Sequence, residues 1–235
     1  MIFEIIRADT RGVAELDWLS TRYSFSFADY YEPKRMGFGA LRVLNEDVIA
    51  AGQGFGMHSH DNMEIVTIVL QGELEHKDST GGHGVIRENE VQVMSAGSGV
   101  THSEFNHSKV NAVHLLQIWI QTAKQNVEPR YDQKKFTLKS GLNEVVTGKK
   151  NNSLFIYQDA KLSVALLKAG EKLSYEISTD KGVYLFVIEG KVEFEKNELK
   201  QSDAVQISAT NDFTFKALAH SKVLFIEVPM SHRIK

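Results

Sequence analysis

The sequence predicts an all-β fold, a sandwich or barrel, organised as two halves. Short apolar or alternating runs recur at intervals of roughly ten residues, at 65–70, 91–94, 113–120, 162–167, 183–188 and 223–228. Turn signals separate them at Gln71-Gly72, Gly81-Gly82, Glu189-Gly190 and Lys196-Asn197, where glycine or asparagine accepts positive φ. The phrase Val69-Leu70-Gln71-Gly72-Glu73-Leu74-Glu75 is echoed by Val187-Ile188-Glu189-Gly190-Lys191-Val192-Glu193. Each reads as strand, glycine turn, strand, which points to two copies of one architecture.

The chain has 235 residues, enough for two modest β domains. The polar stretch 122–135 interrupts the strand rhythm, so the boundary is placed there, giving domains of 1–125 and 126–235. With 42% hydrophobic residues and a net charge of -3, the chain can bury a core and lacks the basic field that nucleic acid requires. No run of about 18 apolar residues occurs, and charges appear at once after Met1. Neither a membrane span nor a signal peptide is expected, and the cytoplasm is the expected location. Cysteine is absent, so any bound metal must rely on nitrogen and oxygen ligands.

Two spaced pairs carry the chemistry. In Met57-His58-Ser59-His60 the imidazoles project to one face of a strand, because side chains alternate with period two. In Thr101-His102-Ser103-Glu104 the same rule pairs an imidazole with a carboxylate. If the two strands face one another inside a barrel, three neutral nitrogens and one anionic oxygen converge. Such a set suits Fe(II), Ni(II), Co(II), Cu(II), Mn(II) or Zn(II), with open positions left for a ligand. Burying these four groups without a metal would be costly.

The spacing Gly52, His58, His60, Glu64, followed by Gly99, His102, Asn106, resembles the two motifs of the cupin superfamily. That resemblance implies two double-stranded β-helix (jelly-roll) barrels, a bicupin. Gly97 stands where the second motif usually has proline, and the closing glycine of the first comes one place late, at Gly72. Glu64 is the carboxylate ligand of many cupins. Here Asp61-Asn62 reads as a turn or bulge that shifts the parity of the residues after it, so Glu104 is the expected ligand and Glu64 an alternative ligand or a residue orienting one.

The stretches 37–47, Gly54-Phe55-Gly56-Met57-His58, Met63-Glu64-Ile65-Val66-Thr67, 74–79 and Met94-Ser95-Ala96-Gly97 resemble the pirin family over about residues 20–120. The resemblance implies His58, His60, His102 and Glu104 as ligands of one divalent metal, with Fe(II) the expected ion, and a C-terminal half without metal. It also implies an activity like that of quercetin 2,3-dioxygenase, which opens a flavonol ring with O2 and releases carbon monoxide. The partners would then be a small planar chelating substrate and O2, with Glu104 as the catalytic base and a monomer as the working form. The rival reading is a non-enzymatic, redox-sensing regulator that binds a protein partner through its metal domain. Ser59 replaces a common pirin proline, and Glu88-Asn89-Glu90 stands where Pro-Gly-Asp is usual.

The remaining histidines receive plainer readings. His76 is placed beside the charged outer positions of its strand or in a structural hydrogen bond rather than on the metal, His83 and His107 in loops, and His114 in a core; His220 and His232 are unpaired. Phe55, Met57, Met94 and Trp119 are candidates for the lining of an apolar pocket.

Overall fold

The computed structural model describes residues 1–231. In the N-terminal half the strands are β1 (Ile2–Ile6), β2 (Gly12–Glu15), β3 (Leu19–Tyr23), β4 (Leu41–Ile49), β5 (Gly54–His60), β6 (Met63–Gln71), β7 (Glu73–Asp78), β8 (His83–Arg87), β9 (Glu90–Ser95), β10 (Val100–Asn106) and β11 (Val113–Gln121). Beyond them come β12 (Arg130–Lys135), β13 (Gly141–Thr147), β14 (Leu154–Phe155), β15 (Lys161–Leu167), β16 (Lys172–Glu176), β17 (Lys181–Glu189), β18 (Lys191–Phe194), β19 (Asn197–Lys200), β20 (Ala204–Ser208), β21 (Asp212–Ala217) and β22 (Ser221–Pro229). All six predicted apolar runs fall inside strands, and the one helical element described is a 3-10 turn at Ala8–Thr10.

The strands form four sheets, two to each barrel. The N-terminal barrel closes the four-stranded sheet β5-β10-β7-β8 over the seven-stranded sheet β12-β9-β6-β11-β4-β3-β2. Its C-terminal counterpart pairs β16-β21-β18-β19 with β1-β20-β17-β22-β15-β13-β14. The protein is an all-β bicupin. The two large sheets pack against each other through one core, to which Val66, Ile68, Leu116 and Ile118 contribute from one side and Val164, Phe186, Leu224 and Ile226 from the other. Both faces of each large sheet are therefore covered, which explains why their strands read as continuous apolar runs.

Sheet membership crosses the expected division after residue 125 in both directions. β1 pairs with β20 of the C-terminal barrel, Ile2 opposite Ser208 and Ile6 opposite Ala204. β12, inside the polar stretch read as a boundary, pairs with β9 of the N-terminal barrel. It is polar because it is an edge strand with an exposed flank, and polar side chains protect such edges.

The internal echo is structural. Gly72 and Gly190 adopt φ of 83° and 85°, and a Cβ at either would strike the carbonyl oxygen of Ala112 or His220 respectively, so only glycine fits both turns. The barrel interiors differ. Tyr175, Phe194, Phe213, Phe215 and Phe225 fill the C-terminal one, whereas the N-terminal one holds two small apolar clusters with a polar band between them.

Candidate metal centre

The histidine-bearing strands do not face one another across the barrel, as the sequence suggested; they are hydrogen-bonded neighbours. β10 runs antiparallel to β5 with His102 opposite His58 and Val100 opposite His60. The register then slips, so that Glu104 lies opposite Phe55. Two steps along β10 thus match three along β5, and the extra residue falls in the Gly56-Met57 segment. Such a bulge turns Phe55 and His58 to the same side despite their odd spacing. Gly54 permits the close approach, since a Cβ there would collide with the backbone of Glu104 and Phe105.

The three rings converge. Centroids lie 4.4 Å apart for His58 and His102, and 4.9 Å apart for both His58–His60 and His60–His102. One nitrogen from each lies within 4.8 Å of the others, a group that could hold a metal ion. Glu104 falls in a second such group, with His76 and His102.

Glu104 is buried and its carboxylate is held from three strands. Oε1 accepts from Gln92 Nε2 at 3.2 Å and from Thr67 Oγ1 at 3.3 Å, and Oε2 accepts from Gln117 Nε2 at 2.7 Å. These donors belong to one row of directly paired residues, Tyr23, Asn45, Gln117, Thr67, Gln92 and Gln133, crossing six strands of the large sheet. Residues paired across strands share a face, so this row forms a polar belt inside the barrel. Burial pushes the Glu104 carboxyl up to about 7, against the lowering effect of Gln92, Thr67 and Gln117.

Beside the histidines lies a cavity of about 410 Å³ with His58 and Glu104 in its lining. Its walls are aromatic, formed by Trp18, Tyr23, Phe27, Phe55 and Trp119, with Thr21, Asn45, Asp47 and Gln117 supplying polar groups.

Comparison with known proteins places this arrangement. Residues 6–120 match the pirin family, and residues 145–228 match the quercetinase C-terminal cupin domain. A quercetin 2,3-dioxygenase of Escherichia coli is 40% identical over 224 residues, covering 95% of this chain and 97% of that protein. The chain belongs to the pirin family. The crystal structure of YhhW from Escherichia coli superposes with a TM-score of 0.95 at 39% identity, covering 99% of this chain and all of that one. Bacterial pirin YhhW in complex with nickel(II) gives 0.93 at 38% identity, over 97% of this chain and 99% of that one.

The donors of this pirin fit a transition metal. Among the described residues His102 Nε2 is buried without any hydrogen-bond partner, an arrangement that is costly unless something else satisfies the nitrogen. Burial, with His58, His60 and His76 nearby, holds the His102 imidazole far down, at about 2, and burial lowers His60 to about 4. Both are thus neutral at physiological pH, the form that ligates metals.

His76, for which the sequence offered a charged outer position or a structural hydrogen bond, is fully buried and makes the hydrogen bond. Its Nε2 lies 2.9 Å from Asp78 Oδ2, its Nδ1 lies 3.4 Å from His102 Nδ1, and its ring stacks on Tyr131 of β12 at 4.5 Å. Burial outweighs Asp78 and lowers the His76 pKa, so the Asp78 contact is a hydrogen bond from a neutral imidazole rather than an ion pair. The signal was the alternation in β7, where Leu74 and His76 are buried and Glu75 and Lys77 are not.

Glu64 lies on the opposite face of β6 from Thr67, three residues along a period-two strand. It is buried, accepts from Ser95 Oγ at 2.6 Å, and has Tyr157 and Thr122 near its carboxyl. Asn62, with φ of 43°, turns the chain from one sheet into the other between His60 and Glu64. Of the expected pocket residues, Phe55 and Trp119 line the cavity, but Met57 is exposed on the bulge and Met94 packs with Ile65, Ala96 and Val100. His83 and His107 are exposed beside Glu75, and His114 contacts Glu46 at 3.2 Å. His232 lies outside the described residues.

Proposed function

We propose that this chain is a metal-dependent dioxygenase that cleaves a flavonol such as quercetin with O2, with His58, His60, His102 and Glu104 holding one divalent ion and Fe(II) the resident metal. The observation that carries the reading is the partnerless His102 Nε2, set among two further imidazoles at the edge of an aromatic-walled cavity. The quercetin 2,3-dioxygenase activity of the Escherichia coli relative and the nickel(II) of YhhW support it. When bound, the ion supplies Lewis acidity toward a coordinated hydroxyl and a redox partner for O2.

The chain's own residues do the rest. Trp18, Phe55 and Trp119 offer flat apolar surface to a planar polyphenol and exclude water from it. Glu104, with its carboxyl raised to about 7 by burial, is matched to accept the proton of the flavonol 3-hydroxyl near neutral pH. The amides of Gln92 and Gln117 then keep the carboxyl group oriented while its charge changes. Oxygen uptake with quercetin is the test. Consumption of O2 with release of an equal amount of carbon monoxide, lost in His58→Ala and Glu104→Ala variants that still fold, is the expected result; a metal-loaded protein that leaves quercetin intact overturns the reading.

A further inference from the structure

The cavity also carries polar groups that the proposed chemistry does not use. Thr21 on β3 and Asp47 on β4 are directly paired, and Asn45 is the next inward residue of β4. All three line the cavity and are buried, at 1%, 4% and 4% exposure for Thr21, Asn45 and Asp47. Among the described residues Asn45 Oδ1 has no hydrogen-bond partner, and Thr21 Oγ1 makes no well-formed hydrogen bond although it lies near enough to the Asp47 carboxyl to lower its pKa. Buried polar atoms without partners are rare, and such atoms facing a cavity are satisfied by what enters it. The same cavity is walled by the rings of Trp18, Tyr23 and Phe55.

We propose that Thr21, Asn45 and Asp47 form a hydroxyl-recognition floor that selects an aromatic ligand bearing hydroxyl groups on the ring remote from the metal-chelating oxygens. The groups offer oxygens to the cavity: the Asn45 amide oxygen accepts only, the Asp47 carboxylate accepts when ionised, and the Thr21 hydroxyl can do either. A ligand that satisfies them must bring donors, as phenolic hydroxyls do, while its ring fills the aromatic section. Burial raises the Asp47 carboxyl to about 7, which lessens the charge that a neutral phenol must face. A bare aromatic ring would leave the same oxygens unpaired, and loss of a donor at a site built for one discriminates strongly. The inference names the substrate class of the proposed dioxygenase site and rests on that reading only for the orientation of the ligand.

The test separates the two. Binding is followed by quenching of tryptophan fluorescence, Trp18 and Trp119 being in the wall, for quercetin against 3-hydroxyflavone on zinc-loaded protein. The same is done for luteolin against flavone on metal-free protein, since neither carries the 3-hydroxyl. Each hydroxylated ligand is expected to bind at least about tenfold more tightly than its bare counterpart, and Thr21→Val with Asn45→Leu is expected to erase that gap without weakening the bare flavones. Because Asn45→Leu removes an unpartnered polar atom, that single variant should melt no lower than the parent. Equal binding of hydroxylated and bare ligands, no binding of luteolin to the metal-free protein, or an equal loss for both ligand classes in the variants overturns the floor. Absence of quercetin turnover overturns the dioxygenase reading alone.

Discussion

Asp78 fixes the tautomer of His76. Oδ2 of Asp78 lies 2.9 Å from Nε2 of His76, so the ring proton of the neutral His76 sits on Nε2 and its Nδ1 is a hydrogen-bond acceptor. His102 approaches that acceptor through its own Nδ1 at 3.4 Å, which leaves its buried Nε2 with a bare lone pair. Asp78 is itself anchored, its Oδ1 accepting from the backbone N–H groups of Thr80 and Gly82 at 2.8 and 2.9 Å. On the other side His58 Nδ1 lies 2.8 Å from the carbonyl of Gly56, which likewise frees Nε2. Outer hydrogen bonds that orient ligand imidazoles in this way commonly set metal affinity.

His76→Leu is therefore expected to weaken metal binding by about 10- to 100-fold while all proposed ligands remain. Competition against a chromogenic chelator reads this directly. Asp78→Asn should give a smaller loss, because an amide can still accept from His76; unchanged affinity in both would remove the tautomer relay from the account.

Glu104→Gln should separate binding from chemistry. The amide keeps the size of the side chain but cannot take a proton, so turnover is expected to fall by about 10²- to 10⁴-fold. The three histidines would still retain an ion, and metal content after dialysis checks this.

Gly54→Ala is expected to disturb the centre without touching a ligand. The added methyl would meet the backbone of Glu104 and Phe105, forcing β5 away from β10 and separating His58 from His102. A fall in metal occupancy with far-ultraviolet circular dichroism unchanged is the expected signature.

Acid stability should report Glu46 at the junction between barrels. It accepts from Arg11 at 2.7 Å, from Ser202 of the C-terminal barrel at 2.9 Å and lies 3.2 Å from His114. Burial works against these contacts, yet they hold the Glu46 carboxyl down at about 2, below its ordinary 4.5. A carboxyl depressed in the folded state contributes stability above its unfolded pKa and loses it as pH falls through the folded one. Glu46→Gln should thus lower the melting temperature at pH 7 and flatten its decline between about pH 5 and pH 2. Parallel melting curves for parent and variant over that window would contradict the assignment.

Much of this was legible in local alternation. The His58-His60 and His102-Glu104 pairs announced two inward-facing strand segments, and the repeat around Gly72 and Gly190 announced the second barrel. What stayed hidden depended on partners distant in sequence. β1 and β12 each join the other half's sheet, and nothing in an edge strand names its partner. The bulge at Gly56-Met57 sent Met57 outward. The charges of Glu73, Glu75, Lys77 and Asp78 around His76 hid a clean alternation, in which Leu74 and His76 turn inward. The polar belt was present as scattered residues, Asn45, Thr67, Gln92 and Gln117, on four separate strands; only the register brings them into line.

Three imidazole nitrogens, from His58, His60 and His102, are expected to share one ion. Anomalous scattering from crystals of this protein soaked in nickel(II) reads that directly. A single strong peak within about 2.0–2.2 Å of nitrogens from His58, His60 and His102 is expected; a metal bound elsewhere on the chain, or none among these three rings at full soaking, would contradict it.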